Sequence, residues 1–392
     1  MAAPKLRFKE FDGDWIKSKL GSEAQFFQGE QVSLDDQCSE YAHGLIKFLR
    51  IENFTQKSKD FRYIRYTGSQ EKILGEQDIA IVRYGATAGF ICSGETGVIA
   101  NNLFKVSVDN KKINQKYLEL VLKSEKTFNY FQAEMSGGAM PALNFKIVGN
   151  LDITYSSIQE QTKIASFLSN VDEKISQLTQ KHQLLSQYKQ GMMQKLFSQQ
   201  LRFKADDGSE FGEWEEKELK EVAEINPKAK KLPANFIYID LESVEKGQLL
   251  LQKNIELQDA PSRAQRLLAK GDVLFQMVRP YQQNNYYFNL SGEYVASTGY
   301  AQIRTKLDSK FIYYALHEKT FLDEVMNRCT GTSYPAINSS DLSSIEMFVP
   351  CLEEQTKIAN FLSAIDQKIE VVAQQIEQAK TWKKGLLQQM FV

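Results

Sequence analysis

Basic and aromatic side chains interleave in two stretches of this sequence. The first carries Lys57, Lys59, Arg62, Tyr63, Arg65 and Tyr66, followed by Arg83 and Tyr84. The second carries Arg263, Arg266, Arg279, Tyr281, Gln282, Gln283, Asn284, Asn285 and Tyr286. Arginine and lysine neutralise phosphates, arginine also reads guanine, and asparagine and glutamine match the adenine edge. The candidate DNA contacts are therefore Lys57, Lys59, Arg62, Arg65, Arg83 and Tyr84 in the first stretch. In the second they are Arg263, Arg266, Arg279, Tyr281, Gln282 and Asn284. An ordinary charged surface with its aromatics anchored in a core produces the same pattern. These residues alone leave both readings open.

Chemistry of other kinds is missing. No G-x-x-x-x-G-K-[ST] phosphate loop and no G-x-G-x-x-G cofactor loop occurs. Asn226-Pro227-Lys228 is the nearest approach to the Asn-Pro-Pro-aromatic stretch required for adenine methylation. His43, His182 and His317 stand apart, without H-E-x-x-H or triad-like context. Cys38, Cys92, Cys329 and Cys351 form no C-x-x-C pair, so free thiols in a reducing compartment are expected. No catalytic residue, metal ligand or cofactor site is expected, and these absences count against a self-sufficient enzyme.

The elements that must position the candidates come from a repeat. Ile158-Gln159-Glu160-Gln161-Thr162-Lys163-Ile164-Ala165-Ser166-Phe167-Leu168 returns as Leu352-Glu353-Glu354-Gln355-Thr356-Lys357-Ile358-Ala359-Asn360-Phe361-Leu362. The offset of 194 (Ile158 to Leu352) continues in both directions. Pro141-Ala142-Leu143-Asn144 matches Pro335-Ala336-Ile337-Asn338, and Asp172, Lys189 and Phe197 match Asp366, Lys383 and Phe391. A period this long is a duplicated domain-plus-helix unit, since solenoid repeats run at about 20–50 residues.

Steps of four and three link Ile164, Leu168, Val171, Ile175, Leu178, and then Leu185, Met192 and Leu196; the second copy runs from Ile358 to Met390. Seams of this kind over several heptads predict coiled-coil helices. Ser157 and Glu160 make a capping box for the first; Cys351 stands in that place in the second, whose start is less well specified. The first helix is expected over Ile158–Phe197, about 40 residues or roughly 60 Å. Lys189 and Lys383 recur on the seam, as a solvated edge or as a partner contact.

Each half opens on a related motif, Leu6-Arg7-Phe8-Lys9 with Trp15 and Leu201-Arg202-Phe203-Lys204 with Trp214. The order is cyclic, so the end of the second helix is expected beside Leu6, as Phe197 leads into Leu201. Pseudo-two-fold pairing would set the helices antiparallel. The intervening segments share only a sketch: Gly75 to Arg83 reads like Gly271 to Arg279, a turn into a buried strand ending on arginine. Short apolar runs and amphipathic stretches make these domains α+β. Backbone amides of the polar loops Ser136-Gly137-Gly138-Ala139 and Thr330-Gly331-Thr332-Ser333 could meet a phosphate, and a structural turn explains them equally well.

The chain has 392 residues, 25% of them charged, with a net charge of −1. That length holds two domains and long connecting elements. The balanced charge counts weakly against DNA binding, because a basic groove can be backed by acidic helices. No apolar run approaches about 18 residues, and no signal-peptide pattern is present, so a cytoplasmic location is expected.

Two variable domains, each followed by a helix opening E-Q-x-K-I-A-x-F-L, closely resemble the specificity (S) subunit of type I restriction–modification systems. Glu160 to Leu168 and Glu354 to Leu362 carry the match; the two Pro-Ala-x-Asn segments and Gly271-Asp272-Val273-Leu274-Phe275 extend it over essentially the whole chain. The resemblance implies an α+β protein with two target recognition domains (residues 1–156 and 201–350). Two long antiparallel coiled-coil helices (157–200 and 351–392) would join them in a cyclic pseudo-two-fold duplication. It implies that each domain reads half of a split, asymmetric DNA sequence and that the helices fix the unread spacer. The helices would also dock two methyltransferase (M) subunits, which bind S-adenosylmethionine and methylate adenine N6. Restriction (R) subunits, using ATP and Mg, would add cleavage. The alternatives are a two-headed coiled-coil scaffold with protein-binding end domains, and a solitary enzyme with an unrecognised site.

Overall fold

The computed structural model describes residues 4–135, 141–229 and 231–391. The loop Ser136–Ala139 lies outside them. The chain divides into two compact units, Met1–Gln177 with Gln375–Val392, and Leu178–Gln374.

The first unit is built on two four-stranded sheets. One is antiparallel, in the order Ala24–Gln28, Leu103–Val108, Ile79–Val82, Ile91–Cys92. The other runs Arg62–Ile64, Ile46–Leu49, Gly97–Ile99, Ile73–Leu74, and its central pair is parallel, Phe48 opposite Val98. Ile79–Val82 is buried along its whole length, which is why it reads as a continuous apolar run and does not alternate. Ile16–Lys19 pairs with Asp152–Tyr155 at the foot of the long helix.

The second unit repeats this plan. Its sheets run Ala223–Ile225, Tyr300–Thr305, Val273–Gln276, Tyr286–Tyr287, and Lys253–Glu256, Asn235–Ile239, Tyr294–Ser297, Ala264–Leu267. Here too the central pair of the second sheet is parallel, Ile237 opposite Tyr294. The shared sketch is thus a shared topology. One difference follows the parallel-paired strand: the first unit turns through a helix, Ile51–Thr55, and the second through a hairpin, Val244–Glu245 with Gln248–Leu249.

The match of Gly75–Arg83 to Gly271–Arg279 is corrected by two residues. Asp78 accepts the N–H of Gly75 (2.8 Å), and Asp272 accepts that of Ala269 (2.7 Å), so the two aspartates are equivalent. Ile79 then matches Val273, and Arg83 matches Met277. Gly271 occupies a left-handed turn position (φ 94), whereas its counterpart Gln77 in the first unit does not take a left-handed backbone.

The long helices are Ile158–Phe197 and Leu352–Met390. In the first unit Ile164, Leu168 and Val171 share a core with Leu386 and Met390, and Asp172 accepts an ion pair from Lys383 (2.5 Å). In the second unit Leu196 packs with Ile358, Leu362 and Ile365, and Lys189 pairs with Asp366 (2.6 Å). In each unit the two helical segments run antiparallel. Lys189 and Lys383 are therefore held by repeat-related aspartates, Asp366 and Asp172, which corrects the solvated-edge reading.

The E-Q motif is internal. Glu160 and Gln161 are 0% exposed, Glu354 0% and Gln355 1%. Glu160 takes both donors of Arg7 (2.7 and 2.8 Å) and Glu354 those of Arg202 (3.1 and 2.8 Å). Gln161 donates to the Ser156 and Lys112 carbonyls, and Gln355 to that of Pro350. Only half of the expected capping box forms: Ser157 Oγ accepts the Glu160 N–H (3.4 Å), while the Glu160 carboxylate goes to Arg7. The expected cyclic closure is present. Leu6 donates to the Gln389 carbonyl as Leu201 donates to that of Lys195, both at 3.0 Å. Phe391 lies against Tyr117 as Phe197 lies against Phe311.

Glu119 gives the first unit an acid-sensitive contact. Burial opposes its ionisation, but hydrogen bonds from Lys116, Lys123 and Ser93 outweigh it and bring the carboxyl to about 2. A depressed carboxyl contributes stability that is complete above the unfolded value and is lost as pH falls through the folded one. The melting-temperature gap between the parent and Glu119→Gln is accordingly expected to be open above about pH 4.5 and to close towards pH 2. A gap that stays constant across this window would rule out that contribution.

Candidate nucleic-acid interface

In each unit the sequence-derived candidates fall into two groups, one on each sheet. In the first unit, Lys57 sits exposed in the turn after Ile51–Thr55 with a left-handed backbone (φ 52). Lys59 is exposed and shares Glu95 with Lys47, at 3.0 and 3.2 Å. Arg62 lies on the edge strand opposite Phe48, and Arg65 is exposed just beyond it. Arg83 and Tyr84 stand elsewhere, at the end of Ile79–Val82.

The Pro-Ala-x-Asn segment builds the floor under Arg83. Asn144 caps the short helix Phe145–Gly149 through its side chain, which is the local reason for that residue type. Ala142 bridges to Tyr84, the Arg83 carbonyl accepts from Leu143 (2.8 Å), and the Gly85 N–H donates to Pro141 (3.1 Å). The Arg83 guanidinium lies 4.7 Å over the Tyr84 ring and 5.7 Å from that of Phe145. Its Nε is buried without a hydrogen-bond partner among the described residues.

The second unit has the same floor. Asn338 caps Ser339–Ser343, Ile337 donates to the Met277 carbonyl (3.1 Å), and Arg279 donates to Pro335 (2.7 Å). Thr330 and Ala336 close the Thr330–Ser333 loop with a reciprocal backbone pair, around Gly331 at φ 89. That loop is the turn reading of its sequence.

Between Gln276 and Tyr286 the backbone is held from inside. Buried Gln276 donates to the Val278 carbonyl and to Gln282 Oε1 and accepts from Asn284 N–H; buried Asn285 accepts from Gln276 N–H. Asn285 also meets His317, which burial holds below its ordinary value. Arg279 and Gln283 both take left-handed backbone here (φ 55 and 51). Gln282 and Asn284 are loop braces: their amide oxygens accept from Gln276 and from the Lys246 N–H. A two-point adenine contact needs that oxygen free, so base reading by either would cost an internal bond. Tyr281 is 51% exposed.

Arg263 and Arg266 belong to the other sheet, at and on the strand Ala264–Leu267. Arg263 is exposed, and Arg266 is partly buried with an unpartnered Nε, its guanidinium drawn down from its ordinary value by burial. Among the described residues, no carboxylate lies within ion-pair distance of Lys57, Arg62, Arg65, Arg83, Arg263, Arg266 or Arg279, whereas Lys59 is paired. Unpaired cations retain their full charge for a phosphate or a base edge. Sequence reading missed Tyr334, whose ring lies 4.2 Å under the Arg279 guanidinium and is 63% exposed. Its place directly before Pro335 was the available signal.

The described residues hold no cluster of His, Cys, Asp or Glu able to bind a metal ion, and no helix long and apolar enough to cross a membrane.

The family described as "Type I restriction modification DNA specificity domain" matches the chain twice, at residues 13–187 and 212–381. The type I restriction enzyme MjaVIII specificity subunit of Methanocaldococcus jannaschii is 26% identical over 404 residues, spanning 97% of this chain and 94% of the relative. The putative MjaX specificity subunit of the same organism is 28% identical over 301 residues, 73% of this chain and 69% of its own. The fold is that of the type I restriction–modification S subunit from M. genitalium, with a TM-score of 0.64 at 16% identity, covering 100% of this chain and 99% of that one.

Proposed function

The chain belongs to the type I restriction modification DNA specificity family, and from that premise we propose that it reads a bipartite DNA target for a methylating complex. Each unit's domain binds one half of an asymmetric sequence, and the helices set the unread spacer. Two methyltransferase subunits dock on the helices, carry S-adenosylmethionine and methylate adenine N6 in each half-site. Restriction subunits, with ATP and Mg, add cleavage. The chain itself supplies recognition and no catalytic group.

One observation carries this reading: the same two-sheet frame occurs twice, joined to its helix by the same Arg–Glu pair, yet presents different side chains. Arg7–Glu160 and Arg202–Glu354 hold the frames alike, while the edge strand beside the parallel pair carries Arg62 without a carboxylate partner among the described residues in the first unit and Lys253 paired with Asp240 in the second. A common frame with divergent surfaces suits two different half-sites read in one geometry. Mapping N6-methyladenine in a host carrying the chain and its methyltransferase tests it. A split motif with one methylated adenine in each half is expected; methylation independent of the chain would overturn the reading, and a scaffold would give that result.

Partner docking makes a second expectation. Tyr188 and Trp382 are repeat images on the two long helices, 51% and 54% exposed. Half-exposed aromatics of this kind are typical anchors of an interface. Tyr188→Ala or Trp382→Ala is each expected to lower the bound methyltransferase from two copies to one, read by mass of the native complex. Two copies retained in the double substitution would remove this face from the docking surface.

A further inference from the structure

The two domains place an arginine in one setting by two different routes. Arg83 follows its central strand directly and occupies the position of Met277, since the carbonyls of both accept from the Pro-Ala-x-Asn segment, from Leu143 and Ile337. Arg279 stands two residues further on, in the position of Gly85: both N–H groups donate to the repeat-related prolines, Pro335 and Pro141. Yet each guanidinium ends over the ring of an exposed tyrosine beside that segment, Arg83 at 4.7 Å from the centroid of Tyr84 (41% exposed) and Arg279 at 4.2 Å from that of Tyr334 (63% exposed). Duplication cannot have copied an arrangement whose residues sit at inequivalent positions. Two solutions meet one requirement.

The requirement has a chemical form. Stacking on a ring covers a face of the guanidinium and fixes its plane, leaving the in-plane N–H fork directed outward. Neither arginine has a carboxylate within ion-pair distance among the described residues, and the Arg279 backbone is held in place by the Gln276 and Asn285 hydrogen bonds. A fixed fork matches a partner with two adjacent acceptors in one plane. In duplex DNA that partner is the O6 and N7 edge of guanine in the major groove. A phosphate would accept either a fork or a point charge and needs no fixed plane.

We propose that Arg83 and Arg279 each read a guanine, one in each half-site, with Tyr84 and Tyr334 as the platforms that orient them. This rests on the bipartite reading above. The test is a binding profile of the full chain with its methyltransferase on a randomised duplex pool, at several salt concentrations. Arg279→Lys keeps the charge and removes the fork. It is expected to leave the salt dependence unchanged while discrimination at one G·C pair of one half-site falls by about 5- to 150-fold. Arg83→Lys does the same in the other half-site only. Tyr334→Ala is expected to weaken that same position with the melting temperature held.

Lysine variants that keep full discrimination would overturn the proposal. So would alanine variants that weaken all sequences equally while the salt slope drops by about one, the mark of a phosphate contact. A parent profile without any split preference would instead defeat the bipartite reading, and this proposal with it.

Discussion

Glu354→Ala is expected to destabilise the second unit by about 3–5 kcal/mol, because it leaves a largely buried cation without its counter-charge. Glu354 is fully buried; it accepts from Arg202 Nε and Nη2 and from the Trp214 indole N–H at 3.1 Å. The Arg202 side chain is only 19% exposed and could not recover full hydration without moving. For a unit of this size each kcal/mol shifts the melting temperature by about 2–4 °C, so a fall of roughly 10 °C is expected. Glu160→Ala should cost about 1 kcal/mol less, the worth of one hydrogen bond. In the first unit the Trp15 indole has no such partner, so only Arg7 is stranded. Calorimetry of the two variants checks both points, and a loss below 1 kcal/mol in Glu354→Ala would show that the pair does not hold the frame. Replacing both partners, as Arg202→Met with Glu354→Leu, should restore most of the loss, because no charge is then left buried.

A heptad inserted into both long helices is expected to move the preferred spacer and leave the half-sites alone. Seven residues keep the seam in phase and add about 10 Å, roughly three base pairs at about 3.4 Å each. The natural insertion points are Gln177 and Gln374, where the compact units divide. At the original spacing the two domains could no longer engage together, and affinity should fall about a hundredfold or more as the linked gain is lost. Methylome sequencing reads the result directly. Altered half-sites, or an unaltered spacer, would sink the ruler.

The repeat was legible because a helix seam and a buried ion pair both demand particular residues at fixed spacing. What each residue does was not. Glu160, Gln161, Glu354 and Gln355 stood out only as part of the repeat, and all four face inward: a carboxylate looks the same in sequence whether its cation belongs to a partner or stands some 150 residues away. The two-residue slip at Gly271 arose because a turn glycine is a louder signal than the buried Asp272, although the aspartate's hydrogen bond to the backbone fixes the register. Strand order was illegible for a different reason. Several strands are only two to four residues long, and their partners lie far along the chain. Among the candidate contacts, the arginines share one feature that sequence does not show: no carboxylate among the described residues lies within ion-pair distance of them. Gln282 and Asn284 are tied into the loop that carries Arg279, a role that composition cannot distinguish from base reading.

The Leu6–Gln389 hydrogen bond bears on the order in which the chain can fold as the ribosome delivers it. The second unit is one continuous stretch, Leu178–Gln374, so every residue of its core has been made by the time Gln374 appears. The first unit begins earlier but draws Leu386 and Met390 into its core and Phe391 against Tyr117. Domains usually form in the order of synthesis, amino-terminal first. Here the core of the unit begun first stays without Leu386 and Met390 beside Ile164, Leu168 and Val171 until all of the second unit has been made.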